Sequence, residues 1–495
     1  MLSRGILRAL NVNIGVLLFL AGAASAQPFR VNVLDEQTNR GVPLVELRTV
    51  NGIVHHTDSN GIVAFDEPGL FDKDVYFAVS SHGYEYAKDG FGFRGKILRV
   101  TKGGEATLKI KRLNIAERLY RITGGGIYRD SVLVGTKTPI KEPLVNGLVF
   151  GSDSIVSAAY QGKYYWFWGD TNKPSYPLGN FQVPGATSSL KEDAEVGVNL
   201  NYFVDGKGFA KQTMRMPGKG PTWMTALVPL EQKLYASYIK IEPPMKVYAR
   251  GLAVWDDKEN EFKQVAEVDM KAPAFPAGHS FVHEGHVYFS HPFPVTRVRA
   301  EAKAFLDMEQ YETYTCLKAA DEVDRDEKCA LRYAWRKNAP LLGPQDEIKL
   351  VKAGKIKEDE QRWQLYERDT DKHVLPHAGS VYWNDYRKRW ILIVTQIFGT
   401  SMLGEVWYAE AESPTGPWRD AVKIVTHEKY SFYNPKQHPI FAKERFIYFE
   451  GTYTHTFSGN PHATPRYDYN QIMYKLDLAD ARLTGEEAKK SGAKK

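Results

Sequence analysis

The sequence predicts an all-β protein, a five-bladed β-propeller preceded by a small separate β unit. Three observations predict it. Short β-branched and aromatic runs punctuated by turn residues fill the chain from residue 28 onward, and helical periodicity is scarce. Between residues 113 and 480 one pattern returns five times: a polar opening, a few apolar residues, a charged turn and an aromatic-rich run. Sheets repeated in this way protect their edges by closing radially. A six-bladed ring with one degenerate blade, or an array of sandwiches, is the alternative that the spacing leaves open.

In chain order, the first feature is an export signal. Arg4 and Arg8 precede the apolar run Ile14 to Leu20, and "AGAASA" follows, the layout of a signal cleaved after Ala26. Residues 1–26 are therefore expected to be removed and the protein to be secreted or periplasmic. The apolar run is too short to span a bilayer and nothing later resembles one, so no membrane span is expected. The net charge of +6 is mild for this length, with acids and bases interspersed. No basic stripe is visible, so nucleic acid is not an expected partner. Cys316 and Cys329 sit in a polar insertion, and an oxidising compartment favours a local disulfide between them.

Residues 27–112 read as a small β unit built from "FRVNVLD", "PLVELRTV", "IVAFDE", "DVYFAVSS" and "EATLKIKRL", with the turn "TDSNG" at Thr57 to Gly61. His55, His56 and His82 are expected to be exposed loop histidines rather than metal ligands. The glycines between Gly90 and Gly95 form a loop and not a phosphate cradle, since no helix follows. The order "GVPLVELRT…HHTDSNGIVAFD…HGYEY" resembles the carboxypeptidase-regulatory or transthyretin-like modules. That resemblance implies an accessory β-sandwich.

The five repeats are "GSDSIVSAAYQGKYYWFWGD", "PTWMTALVPLEQKLYASYIK", "AGHSFVHEGHVYFSHP", "HAGSVYWNDYRKRWILIVTQ" and "YNPKQHPIFAKERFIYFEGTY". Their turns QGK, EQK, EGH, YRKR and AKER occupy matching places. The long interval between the third and fourth contains both cysteines and reads as an insertion. The tail, residues 481–495, has no apolar face and is expected to be disordered.

Radial closure would bring the repeat openings together near one end of the axis. These are Asp153 and Ser154, Trp223, His279, His377, and Asn434 with Gln437 and His438. The aromatic runs end at Asp170, Tyr238 and Lys240, Ser290 and His291, Gln396, and Glu450 with Tyr453. Carboxylates and imidazoles are costly to bury unpaired, so such a ring is expected to face a wet pocket. Asp170, closing "YYWFWGD", marks where an apolar strand surfaces, and it also suits a turn-capping role.

Aromatics interleaved with carboxylates and amides suit sugars, so the expected partner is a polysaccharide or oligosaccharide. Trp166, Trp168, Trp223, Tyr433 and Tyr453 are candidate platforms. His279, His377, Gln396, Asn434, His438, Tyr453 and Arg466 are candidate polar contacts. Glycosidic hydrolysis needs two carboxyl groups. Asp153 is expected as base and Glu450 as acid, with Asp170 positioning substrate or shifting a neighbour's pKa.

"GSDS…GKYYWFWGDT" and "VWYAEAESPTGPW" (Val406 to Trp418) resemble five-bladed propeller glycoside hydrolases of the arabinanase and β-xylosidase type and the endo-D-arabinanase-like families. The resemblance implies a first-blade Asp as base. It also implies an acid Glu and a supporting Asp at the openings of middle blades. This chain departs there, carrying His279 and His377. Three alternatives follow from the residues themselves. The axial histidines could hold a divalent cation. His279 or His377 with Tyr453, and Arg466 or Lys436, could serve a polysaccharide lyase. The pocket could also bind glycan without reacting. The stretch "THTFSGNPHATPRYDYNQIMY" is read as a loop lining the pocket or as the solvated closure of the ring.

Overall fold

Turn chemistry sets the hairpins of the large region. The computed structural model describes residues 27–319 and 322–484. The proposed export signal lies outside them, as does the tail beyond Thr484. In the first three repeats the strands are joined by two residues, Gln161-Gly162, Glu231-Gln232 and Glu284-Gly285, all at positive φ. Two such residues twist a turn to match the right-handed twist of its strands.

These hairpins grow into five antiparallel sheets in chain order. The first contains Ile155–Tyr160, Lys163–Trp168, Gly185–Ser189 and Asn201–Tyr202. The second contains Thr222–Leu230, Lys233–Glu242, Lys246–Asp256 and Glu261–Glu267. The third has five strands, from His279–His283 and His286–Ser290 outward to Ala334–Lys337. The fourth contains Pro376–Asn384, Arg389–Gln396, Val406–Ala411 and Arg419–Val425. The fifth contains Ser431–Gln437, Phe446–Thr454 and Asn470–Asp477, and its outer edge is Glu117–Arg121 from the beginning of the region. That borrowed strand ties the two ends of the region together.

The first strand of each sheet touches the first strand of the next, and the fifth touches the first. The apolar cores repeat this order. Phe167 and Trp255 share a core between sheets one and two, and Val228 and Phe289 one between two and three. Phe293 and Trp390 lie between three and four, Ile393 and Phe449 between four and five, and Trp166 and Tyr448 between five and one. Each sheet is thus buried on both faces, which explains why its second strand reads as continuous apolar sequence.

Residues 27–112 form two four-stranded sheets around one core of their own, including Val31, Phe77 and Leu108. This unit docks on the fifth sheet through buried polar contacts. Arg118 donates to Pro43 O at 3.0 Å, Tyr467 Oη donates to Thr57 O at 2.6 Å, and Leu44 N donates to Tyr467 Oη at 3.1 Å.

Three expectations are corrected here. Cys316 is buried in the core between sheets three and four while Cys329 is exposed, and the two are not bonded. The insertion instead packs Cys316 into that shared core, with Leu342 and Trp363. His55 and His56 lie in the strand Val54–His56, and His82 is half-buried at the docking face with Nε2 3.0 Å from Tyr453 Oη. The tail begins with a helical turn, Ala481–Thr484, because Leu483 is apolar and packs into the core of sheets four and five.

Candidate active site

The aromatic run Lys163–Trp168 ends on a carboxylate because the sheet opens there into a cavity of about 810 Å3. Asp153 and Asp170 stand opposite each other just beyond the register pair Ile155 and Trp168. Asp153 N donates to Asp170 O at 3.2 Å, and Gly169 N donates to Asp153 O at 2.9 Å. A Cβ on Gly169 would lie 2.2 Å from Asp153 Oδ1, so only glycine lets the carboxylate settle there. Ser154 holds φ at 41° beside it and donates its backbone N–H to Thr452 Oγ1 at 2.9 Å.

Both carboxyl groups reach the cavity yet are surrounded mostly by protein. Burial, and next the charge of Asp170, push the Asp153 pKa up to about 7. Tyr433 Oη, donating to Asp153 Oδ2 at 3.0 Å, and the Tyr469 hydroxyl oppose that rise. Burial raises Asp170 to about 6 against the Trp223 indole N–H, which donates to its Oδ1 at 3.2 Å. The charge of Asp170 acts on Asp153, so the two carboxyls titrate as a coupled pair.

The remaining wall is supplied by different sheets. His279 from the third and His377 from the fourth both line it. Burial lowers both imidazole pKa values, so they are neutral at neutral pH. Among the described residues, neither Nδ1 has a hydrogen-bond partner. Asn434 Nδ2 donates to Ser154 Oγ at 2.6 Å. Asp468, which accepts from the backbone of His455 at 2.7 Å, lines the cavity from the closing loop. Among the described residues, no lysine or arginine lines this cavity.

Of the residues singled out from sequence, Asp153, Ser154, Trp168, Asp170, Trp223, His279, His377, Tyr433 and Asn434 share this cavity. The other candidate site residues do not reach it. Glu450 is fully buried, with Oε1 2.8 Å from His438 Nε2 and Lys436 on the paired strand. His438 in turn bonds Tyr164 Oη through Nδ1 at 3.1 Å. Gln396 accepts the Trp407 indole N–H at 2.9 Å. Tyr453 is sealed against His82 and Thr464, and Arg466 pairs with Asp130 at 3.3 Å. Trp166 is wholly in the core. Among the described residues, no three His, Cys, Asp or Glu side chains stand close enough to share a metal ion.

His291, a strand exit, and Asp468, from the loop read as lining the pocket, both line the cavity, whereas sequence reasoning missed Tyr469. Tyr469, at φ 59°, gave no signal.

No family model and no curated protein matches the chain. Many solved structures do, at low identity. An exo-1,5-α-L-arabinanase from a bovine ruminal metagenomic library is 11% identical over 66% of this chain and 93% of its own, with a TM-score of 0.36. An α-L-arabinanase mutant from Cellvibrio cellulosa is 9% identical over 66% and 92%, at 0.37. An exo-β-1,3-galactanase from Phanerochaete chrysosporium, bound to β-1,3-galactotriose, is 10% identical over 73% and 64%, also at 0.37. Likenesses this loose do not say which groups react, and the chemistry below rests on the side chains of this chain.

Proposed function

We propose that this chain is a secreted or periplasmic glycoside hydrolase. In this reading the ring is a five-bladed β-propeller (residues 113–480), the accessory unit of residues 27–112 is a β-sandwich, and residues 1–26 are an export signal. The observation that carries the activity is the Asp153–Asp170 pair, two carboxyls at one cavity rim raised by burial, Asp153 also by the charge of Asp170. Such a pair supplies an acid and a base at the same pH.

Asp153, the better proton holder, donates its proton to the leaving glycosidic oxygen. Asp170, ionised and steadied by the Trp223 N–H, takes a proton from the water that attacks the anomeric carbon. Asp153 was expected to be the base with Glu450 as its acid. The sealed position of Glu450 and the raised pKa of Asp153 favour the exchange. Trp223 offers an apolar face to the sugar, and His279, His377 and Asn434 offer hydroxyl contacts. A wall with three carboxylates and no lysine or arginine favours a neutral glycan over a uronate. It also speaks against the lyase alternative, since Arg466 is paired elsewhere and Lys436 is buried away from the cavity.

The test is release of reducing ends from arabinan, galactan and xylan, without unsaturated products. Asp153→Asn should lower the rate about 10²–10⁴-fold with folding retained. Full activity in Asp153→Asn and Asp170→Asn would remove the pair from the chemistry. No hydrolysis of any of these polymers by the parent, with binding intact, would favour the binding-only alternative.

A further inference from the structure

The far end of the ring carries a second feature that folding does not account for. The first strand of the fourth sheet starts at the cavity wall with His377 and ends at Asn384, beside a separate groove of about 460 Å3. In the first three sheets the corresponding turn is two residues of Gln, Glu or Gly. In the fourth it is Asp385 to Lys388, flanked by Trp383 and containing Tyr386. Trp383 is 43% exposed and Tyr386 is 50% exposed, and both line the groove. Large aromatics left in water forgo the burial that normally justifies them.

The Trp383 ring is nevertheless held in place. Its Nε1 donates to Asp385 Oδ1 at 3.1 Å, and it meets Trp390 edge-on with centroids 5.8 Å apart. Lys388 Nζ in turn fixes Asp385 at 3.2 Å. A ring oriented in advance and facing water is a low-cost stacking platform. Asn384 and Glu444 add polar groups to the wall, and among the described residues no lysine or arginine lines it.

We propose that this groove is a second glycan-binding site that takes a neutral polysaccharide chain, with Trp383 and Tyr386 stacking on the apolar faces of its sugars. It shares none of the residues of the Asp153–Asp170 cavity. It would hold polymer while a chain end or segment occupies the cavity at the opposite end.

The test uses full-length protein carrying Asp153→Asn, so that binding is read without turnover, in native gels cast with arabinan or galactan. Adding Trp383→Ala and Tyr386→Ala should weaken retardation about tenfold or more. In the parent background the same pair should leave hydrolysis of short oligosaccharides unchanged. Should Trp383→Ala fail to fold, Tyr386→Ala, whose ring faces solvent, carries the test alone with a smaller loss in the same direction. Retardation equal to the parent's, or a parent that neither polymer retards, overturns the proposal. So does a change in oligomeric state on Tyr386→Ala, which would make the groove a self-association face. Loss of hydrolysis in Asp153→Asn bears on the reaction alone and leaves this result independent.

Discussion

Two clusters on the inner strands of the ring look alike on paper and differ in one respect. At the rim, Asp153 and Asp170 share a cavity with His279 and His377. Farther along, Glu450, His438 and Lys436 share a sealed interior with Tyr164 and Tyr382. Both contain a carboxyl raised well above its ordinary range by burial, Asp153 to about 7 and Glu450 to about 8. Only the first offers its carboxyls to a ligand, since Tyr382 and His438 of the second border the Trp383 groove while Glu450 behind them is fully buried. A displaced pKa and a central position mark a group as unusual, but access decides whether it can react. The buried cluster pairs Glu450 Oε1 with His438 and Lys436 with Tyr382, while Glu450 Oε2 stays unpartnered among the described residues.

The comparison can be broken most forcefully at Asp170. Asp170→Asn should cut hydrolysis about 10²–10⁴-fold. It should also move the alkaline limb of the remaining activity to lower pH, because the negative neighbour that raises Asp153 is gone. A pH–rate profile checks this, and an unshifted limb would show that the two carboxyls are not coupled. In the parent, activity should fall below about pH 6 as Asp170 gains its proton and above about pH 7 as Asp153 loses its own.

The sealed cluster should answer in stability rather than rate. Glu450→Ala leaves His438 without its partner and opens a void, and should cost about 3 kcal/mol in urea denaturation, with the rate per folded molecule retained. Because the folded pKa of Glu450 is raised from 4.5 to about 8, its contribution is complete below the lower value and lost as pH rises to the upper. Lys436, lowered from 10.5 to about 7, acts in the opposite sense above neutrality. Glu450→Gln should therefore flatten the decline in stability between about pH 4.5 and 8. An equal decline in parent and variant would locate the titration elsewhere.

The smallest expected effect concerns the anchoring of the pocket wall. Tyr467, two residues from Tyr469, is the hydroxyl link to Thr57 and Leu44 of the accessory unit. Tyr467→Phe should cost about 1 kcal/mol and lower kcat modestly by loosening the loop that presents Asp468 and Tyr469. Unchanged melting and kinetics would mean that the accessory unit does not support the site.

Much of the architecture was legible in the chain. The five matching turns predicted five hairpins, and QGK, EQK and EGH occupy two-residue turns, with glycine at the second place in the first and third. The openings at Asp153, Trp223, His279, His377 and Asn434 do meet at one cavity, since residues at equivalent places in repeated sheets occupy equivalent places in the ring. The exits were less legible. In the fifth sheet a register shift lies between Tyr433 and Lys436, with Asn434 at φ 51° and Pro435 within it. A bulge resets the two-residue alternation on which a face is read. Asn434 therefore reaches the cavity while Lys436, Gln437 and His438 are sealed.

The chain alone determined the strands, their turns, their number of repeats and the strand-end carboxylate of "YYWFWGD", because alternation and turn residues act over a few neighbours. Only the tertiary structure decided which of those ends is wet. Tyr453 meets His82, Arg466 meets Asp130 and Tyr433 meets Asp153 across about 280 to 370 residues of sequence. Contacts that distant leave no local periodicity, and they alone separate a pocket from a core.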